Sequence, residues 1–237
     1  MEGQYKVTYL EHSSFLVETD KCYLLFDYWK GQIPALDYKK ALYVFASHAH
    51  HDHYSKEIYR LENLCEKVYY ILSFDIKKAD RSYMTVENVT FMDAHEKKAV
   101  GDLQVETFLS TDEGVAFLLE LDGKTIYHAG DLHWWEWPGE PEEENEAYIA
   151  AYKKEMEKLK GRKLDLAFVV LDPRQEEAGG RGMDYFLAQI GARYVFPMHL
   201  WGEYSLIAAY KMENQLKYIN SRIMDIHKAG DIFEIMV

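Results

Sequence analysis

Between residues 48 and 53 the chain reads His-Ala-His-His-Asp-His, directly after the continuously apolar run Ala41–Ala46. Such a run reads as a strand buried on both faces. The small residues Ser47 and Ala49 leave room for a tight loop at its end, where imidazoles converge on a point. Neutral imidazole and carboxylate are the ligands that zinc and neighbouring divalent ions take. A set of solvated loop histidines is the bland alternative, and it gives no reason for crowding four imidazoles into six positions. The pattern predicts metal binding through His48, His50, Asp52 and His53.

The elements around this loop follow from hydrophobic periodicity. Short β-branched or aromatic runs predict strands at 5–10, 14–18, 23–26, 68–72 and 89–92. A meander is predicted over 103–109, 115–121 and 124–128, its last two strands flanking the hairpin signal Asp122-Gly123. Helical patterning falls on 56–64, with Ser55 as N-cap, near 75–81, on 142–160, on 184–190 and near 205–218. Buried strands are expected at 164–171 and 194–196, and closing strands at 223–225 and 232–236. Strands come in a block, then a helix, twice over. That order fits two sheets packed face to face with helices outside. No linker or repeat divides the 237 residues, so a single domain over 1–237 is expected.

At this point a family resemblance is visible. His48-Ala49-His50-His51-Asp52-His53 matches HxHxDH, the signature of the metallo-β-lactamase superfamily of metal-dependent hydrolases. The segment IYHAGDLH resembles the one carrying the family's metal-bridging aspartate, here Asp131. VFPMHLWGE resembles the segment of its final histidine, here His199. The opening TYLEHSSFLVETDKCYLLFDYW is similar to the lactonase-like branch, including a strand that ends in Asp27. The resemblance spans essentially the whole chain. It implies an αββα four-layer sandwich of two mixed β-sheets flanked by helices. It assigns His48 and His50 to one metal, Asp52, His53 and His199 to the other, and Asp131 between them. It further implies a metal-bound hydroxide attacking an ester, lactone, amide or phosphodiester of a small molecule.

One landmark departs. In LSTDEGVAFLL, Ser110 stands where the family has a histidine, and serine is a poor ligand. Asp112 either supplies an oxygen in its place or is a turn residue before Gly114; His12 and His133 are other candidates. A more oxygen-rich site would take Mn2+ or Fe2+ as well as one or two Zn2+. Asp52 is expected to orient the nucleophile as well as to bind metal. His133 is read either as a proton donor to the leaving group or as a histidine behind the ligands. His12, Trp134 and Trp201 are candidate substrate contacts, with the tryptophans either lining a pocket or capping the core. In DPRQEEAGGRGMDYF, Arg174 and Arg181 flank a glycine-rich helix start. Arg181 is the candidate for holding an anionic substrate group; a flexible loop is the plainer alternative.

Bulk properties narrow the partners. Lys plus Arg is 27 against 40 for Asp plus Glu, a formal charge of −13, which disfavours extended nucleic-acid binding. No apolar run approaches a membrane span and the N-terminus lacks a basic-then-apolar signal. Cys22 and Cys65 are too few for a disulfide framework. A cytoplasmic protein with a small-molecule substrate is expected, with a homodimer as the base-rate assembly. The competing functions are a phosphodiesterase acting on a nucleotide-like substrate and, given Ser110, a metal-binding member without turnover. An oxidoreductase is less favoured, because His50 stands where the family's diiron branch carries glutamate.

Overall fold

A computed structural model of the chain describes residues 3–214, 218 and 220–237. Among the described residues, fourteen strands form two mixed sheets of seven. The first sheet contains β1 (Gln4–Glu11), β2 (Ser14–Glu18), β3 (Cys22–Phe26), β4 (Ala41–Ala46), β5 (Val68–Ser73), β6 (Val89–Met92) and β14 (Ile232–Met236), in the order β14-β1-β2-β3-β4-β5-β6. The second contains β7 (Lys97–Val100), β8 (Leu103–Leu109), β9 (Val115–Leu121), β10 (Lys124–His128), β11 (Leu166–Val170), β12 (Tyr194–Met198) and β13 (Arg222–Ile223), in the order β13-β12-β11-β10-β9-β8-β7. In each sheet a β-meander passes into parallel strands: β3 to β6 in the first, β10 to β13 in the second.

The strands β3, β4, β11 and β12 are apolar along nearly their whole length and almost fully buried, as parallel strands covered on both faces must be. Phe15, Phe26, Phe45, Phe117, Phe168 and Phe196 interlock between the sheets. A second cluster, including Leu42, Val44, Ile58, Leu72 and Ile76, fills the space between the first sheet and the outer 3-10 helix Lys56–Asn63 and the short α1 (Ile76–Ala79). On the far side of the second sheet lie α2 (Glu142–Glu157), α3 (Arg181–Gln189) and α4 (Ser205–Asn214), which bury Tyr152, Met156, Met183, Phe186 and Ile207. This is the expected αββα sandwich.

Three local expectations change. The segment after Ser55 is a 3-10 helix, with Ser55 Oγ accepting the Glu57 amide as an N-cap. α3 begins three residues earlier than its apolar pattern suggests, at Arg181. β7 has no counterpart among the predicted strands, because Lys97 and Lys98 face solvent on a sheet edge and its sequence shows no apolar alternation. α4 is described as far as Asn214; residues 215–217 of the expected helix lie outside the described residues. Among the described residues no helix is long and apolar enough to cross a membrane. Cys22 and Cys65 are buried free thiols.

Candidate metal centre

The chemistry-bearing side chains meet at one end of the sandwich, where the parallel strands terminate. Asp27 follows β3, the His48–His53 loop follows β4, Asp131 follows β10, Asp172 follows β11 and His199 follows β12. His12 comes from the turn between β1 and β2, and Asp112 from the hairpin between β8 and β9. Two glycines let these loops approach each other. A Cβ on Gly114 (φ 70°) would come within 2.6 Å of the His48 Cβ, and one on Gly130 (φ 52°) within 2.6 Å of the Ser47 Cβ; any larger residue would push the loops apart. The Val115 amide donates to the Ser47 carbonyl at 2.9 Å, tying the second sheet to the histidine loop.

Two groups of ligand-type side chains result. His12, Asp52, His53 and His199 form one, and His48, His50, Asp112 and Asp131 the other, each with donor atoms within 4.8 Å of one another. Asp131 faces both. Its Oδ1 lies 3.1 Å from His53 Nε2 and 3.5 Å from His199 Nε2, and its Oδ2 lies 3.6 Å from His48 Nε2. Asp52 Oδ2 lies 3.4 Å from His12 Nε2 and 3.9 Å from both His53 and His199 Nε2. His50 Nδ1 is 3.6 Å from Asp112 Oδ2.

The other ring nitrogens are spoken for. His53 Nδ1 donates to Asp27 Oδ2 at 2.8 Å, His199 Nδ1 to Asp172 Oδ2 at 2.9 Å, and His48 Nδ1 to Ser47 Oγ at 2.9 Å. Ser47 Oγ is free to accept because its own proton goes to Asp27 Oδ2 at 2.7 Å, while the Ser47 amide donates to Asp27 Oδ1 at 2.7 Å. Carboxylate–histidine pairs of this kind fix ring orientation and tautomer behind a metal. What remains is the test of fit. The Nε2 atoms of His12, His48, His53 and His199, and Oδ1 of Asp131, are buried without a hydrogen-bond partner. Orphaned buried acceptors converging on a point cost free energy unless something cationic binds them, so the residues fit divalent ions.

The electrostatics agree. Burial would discharge the His53 imidazolium, but Asp131 and Asp27 on either side outweigh it and hold its pKa well above the ordinary value. Burial chiefly lowers His12 to about 4 and His48 to about 3, leaving both neutral and ready to ligate. Burial opposes ionisation of Asp131, yet the field of His53, His199 and His48 holds its carboxyl well below the usual range. With its pKa raised, His53 holds a proton to higher pH than a free imidazole does, and gives it up to bind a cation. Calorimetry of zinc addition near neutral pH, in buffers of different ionisation enthalpy, is therefore expected to show proton release. Buffer-independent heats would contradict it.

Several placements differ from the sequence expectations. His12 lies with the ligand group of Asp52, His53 and His199 rather than with substrate contacts; its ring centre is 4.1 Å from that of His199. Ser110 accepts the Asp112 amide on its Oγ at 3.1 Å, turning the Asp112 carboxylate toward His50. His133 is fully buried away from the cavity. Its Nε2 donates to Gln175 Oε1 at 2.8 Å, burial lowers its pKa to about 4, and its ring supports Trp135 edge-on at 4.9 Å. It cannot reach a leaving group.

Trp134 also turns inward, against Tyr152 and Tyr185 on α2 and α3, with its Nε1 donating to Glu136 Oε2 at 2.9 Å. Arg181 pairs with Glu136 and borders a separate cavity. The cavity over the two ligand groups, of about 360 Å³, is walled instead by Trp135, Trp137, Tyr148, Arg174 and Trp201. Of these, Trp201 was a candidate from the sequence. Asp172, which orients His199, was not; its signal was a carboxylate two residues beyond an apolar strand, as Asp27 and Asp131 stand one and three residues beyond theirs.

Comparison with known proteins points the same way. The family model described as a β-lactamase superfamily domain matches residues 6–143. A UPF0173 metal-dependent hydrolase of Pyrococcus abyssi is 30% identical over 143 residues, covering 54% of this chain and 62% of the relative's length. The chain thus spans under two thirds of that relative. The solved structure of Igni18, a metallo hydrolase from the archaeon Ignicoccus hospitalis, superposes with a TM-score of 0.66 at 16% identity over 98% of both chains. The metallo-β-lactamase fold protein YhfI of Bacillus subtilis does so at 0.59 and 14%, over 98% of this chain and 99% of its own. At these identities the structural likeness is one of fold.

Proposed function

Because the chain belongs to the metallo-β-lactamase superfamily, we propose that it is a metal-dependent hydrolase of a small molecule, of the lactonase-like branch. The supporting observation is the convergence of the buried Nε2 atoms of His48, His53 and His199 on a carboxylate that faces two ligand groups at once, with a fourth, of His12, beside Asp52. Divalent ions held by these groups would supply a water of lowered pKa and polarise the substrate oxygen. His48, His50, Asp112 and Asp131 would hold one ion, and His12, Asp52, His53 and His199 the other, with Asp131 shared. Mixed imidazole and carboxylate donors suit zinc, manganese or iron.

The chain's own residues set the rest. Asp52 lines the cavity, and although burial opposes it, the His12 contact and the field of His53 keep its carboxyl well below the usual range. Ionised throughout the working pH range, it accepts a hydrogen bond from the attacking water and orients it, and does not store a proton. Trp135, Trp137 and Trp201 exclude bulk solvent from the reacting bond. The cavity's volume suits a small ester, lactone or amide; a small phosphodiester is the runner-up. A non-catalytic member was suggested by the missing histidine at Ser110, and Asp112 lies within reach of that place.

The test is metal content alongside turnover. Zinc-loaded protein should carry two ions per chain and hydrolyse activated esters such as p-nitrophenyl acetate. Asp112→Ala should take the stoichiometry from two ions to one and cut hydrolysis at least tenfold. Two retained ions in Asp112→Ala would remove Asp112 from the ligand set, and two ions without turnover on any ester, lactone or phosphodiester would remove the enzyme.

A further inference from the structure

Arg174 is, among the described residues, the one lysine or arginine lining the cavity over the ligand groups, and it is held on several sides. Its Nε donates to both oxygens of Asp172 at 3.0 Å and its Nη2 to Oδ2 at 2.6 Å. The guanidinium carbon sits 5.3 Å from the Trp137 ring centre and 4.6 Å from that of Trp201. Nη1 makes no hydrogen bond among the described residues, and 45% of the side chain is exposed. A guanidinium fixed by stacking and by a bidentate carboxylate, with its remaining donors free, is organised in advance for an anion.

The charge balance points the same way. Two divalent cations, where bound, would outweigh the cavity's carboxylates, Asp52, Asp112 and Asp131, while Asp172 balances the charge of Arg174. The cavity floor would then be positive inside a chain of net charge −13, which would draw an anion to this place.

Resting on the hydrolase proposal, we infer that Arg174 determines specificity by binding an anionic group of the substrate, a carboxylate or phosphate, while the tryptophans hold its apolar part. The substrate class is an anionic ester, lactone or amide. Asp172 then does two things: it orients His199 with one oxygen and aims Arg174 with both.

Binding tests this without turnover, through the emission of Trp137 and Trp201 beside the guanidinium. Zinc-loaded protein is titrated with three phenyl probes: acetanilide, which is neutral, N-phenylsuccinamate, a carboxylate, and phenyl phosphate. Both anions should bind at least tenfold tighter than acetanilide, and the tighter of the two identifies the group. Arg174→Ala and Arg174→Gln should abolish that preference with zinc content unchanged, and Arg174→Lys should keep part of it. Equal binding of all three probes by the unaltered protein would overturn the assignment. So would a preference that survives in Arg174→Ala. If the variants instead lose zinc while the anion preference persists, Arg174 only positions Asp172 and His199. Absence of ester hydrolysis alongside an Arg174-dependent preference would refute the hydrolase and leave the anion site standing.

Discussion

Replacing Asp131 with alanine is expected to lower hydrolysis by about a thousandfold or more and to reduce metal content below one ion per chain. The carboxylate presents one oxygen to His53 and His199 and the other to His48, so its loss removes a ligand from both groups together. Losing about 4 kcal/mol of transition-state stabilisation corresponds to that factor. Without Asp131, His53 Nε2, His48 Nε2 and His199 Nε2 also lose the carboxylate that offsets their cations. Asp131→Asn, which keeps one carbonyl oxygen, should retain one ion and a small part of the rate. Metal analysis and ester hydrolysis, with circular dichroism showing an intact fold, check this. An alanine variant that keeps two ions and full turnover would end the two-ion assignment.

The second large effect belongs to Asp27, which touches no substrate. It is fully buried and accepts from the Ser47 amide, the Ser47 hydroxyl and His53 Nδ1. Asp27→Ala leaves these three buried donors without a partner, a loss of about 3–5 kcal/mol for breaking a buried charged network. For a chain of this size that lowers the melting temperature by roughly 10 °C. Asp27→Asn should spare much of the fold but weaken metal affinity by about 10–100-fold, since His53 loses its orienting carboxylate.

The pH dependence has a definite sign. Burial opposes ionisation of Asp27, but His128 and His53 outweigh it and hold its carboxyl below the ordinary value. A depressed carboxyl contributes stability above the unfolded-state value, near pH 4, and loses it as the pH falls through the folded one. Chelator-treated protein should therefore lose stability below about pH 4, and Asp27→Asn should flatten that limb. Thermal melts from pH 3 to 7 measure both, and an unchanged acid limb in Asp27→Asn would contradict the account.

How much of this was legible in the residues depends on periodicity. The buried parallel strands announced themselves as unbroken apolar runs, and a histidine loop behind such a strand has one place to go, the end of the sheet. Ala41–Ala46 and the loop after it were readable for that reason. Loops carry no period, so the direction of their side chains is not encoded in spacing. Trp134 and Trp135 are adjacent, yet one packs on α2 and α3 and the other walls the cavity. Arg174 and Arg181 flank the same glycines, yet only the first reaches the site, because Asp172 at the strand end turns it there.

His12 was visible as a candidate ligand for the place Ser110 leaves, but not as a neighbour of Asp52, His53 and His199. Its placement depends on a turn with φ of 54° that brings it against His199, itself at φ 66°, and no local rule predicts left-handed backbone at a histidine. Ser110 misleads in the opposite sense: the carboxylate beside His50 stands two residues further along the hairpin, so a position-by-position comparison finds a gap where the folded chain has Asp112.

The two halves of the centre differ in their access to water. His50 and Asp112 leave 45% and 42% of their side chains exposed, whereas His12, Asp52, His53 and His199 are buried. An ion held by the buried four would shed more of its hydration than one held at the exposed pair, and would exchange with the medium more slowly. The inner position would keep whatever cation was present when the chain first folded, and the outer would report the latest buffer. A mixed-metal preparation is then the natural product of ordinary purification, with its inventory written half by history and half by circumstance.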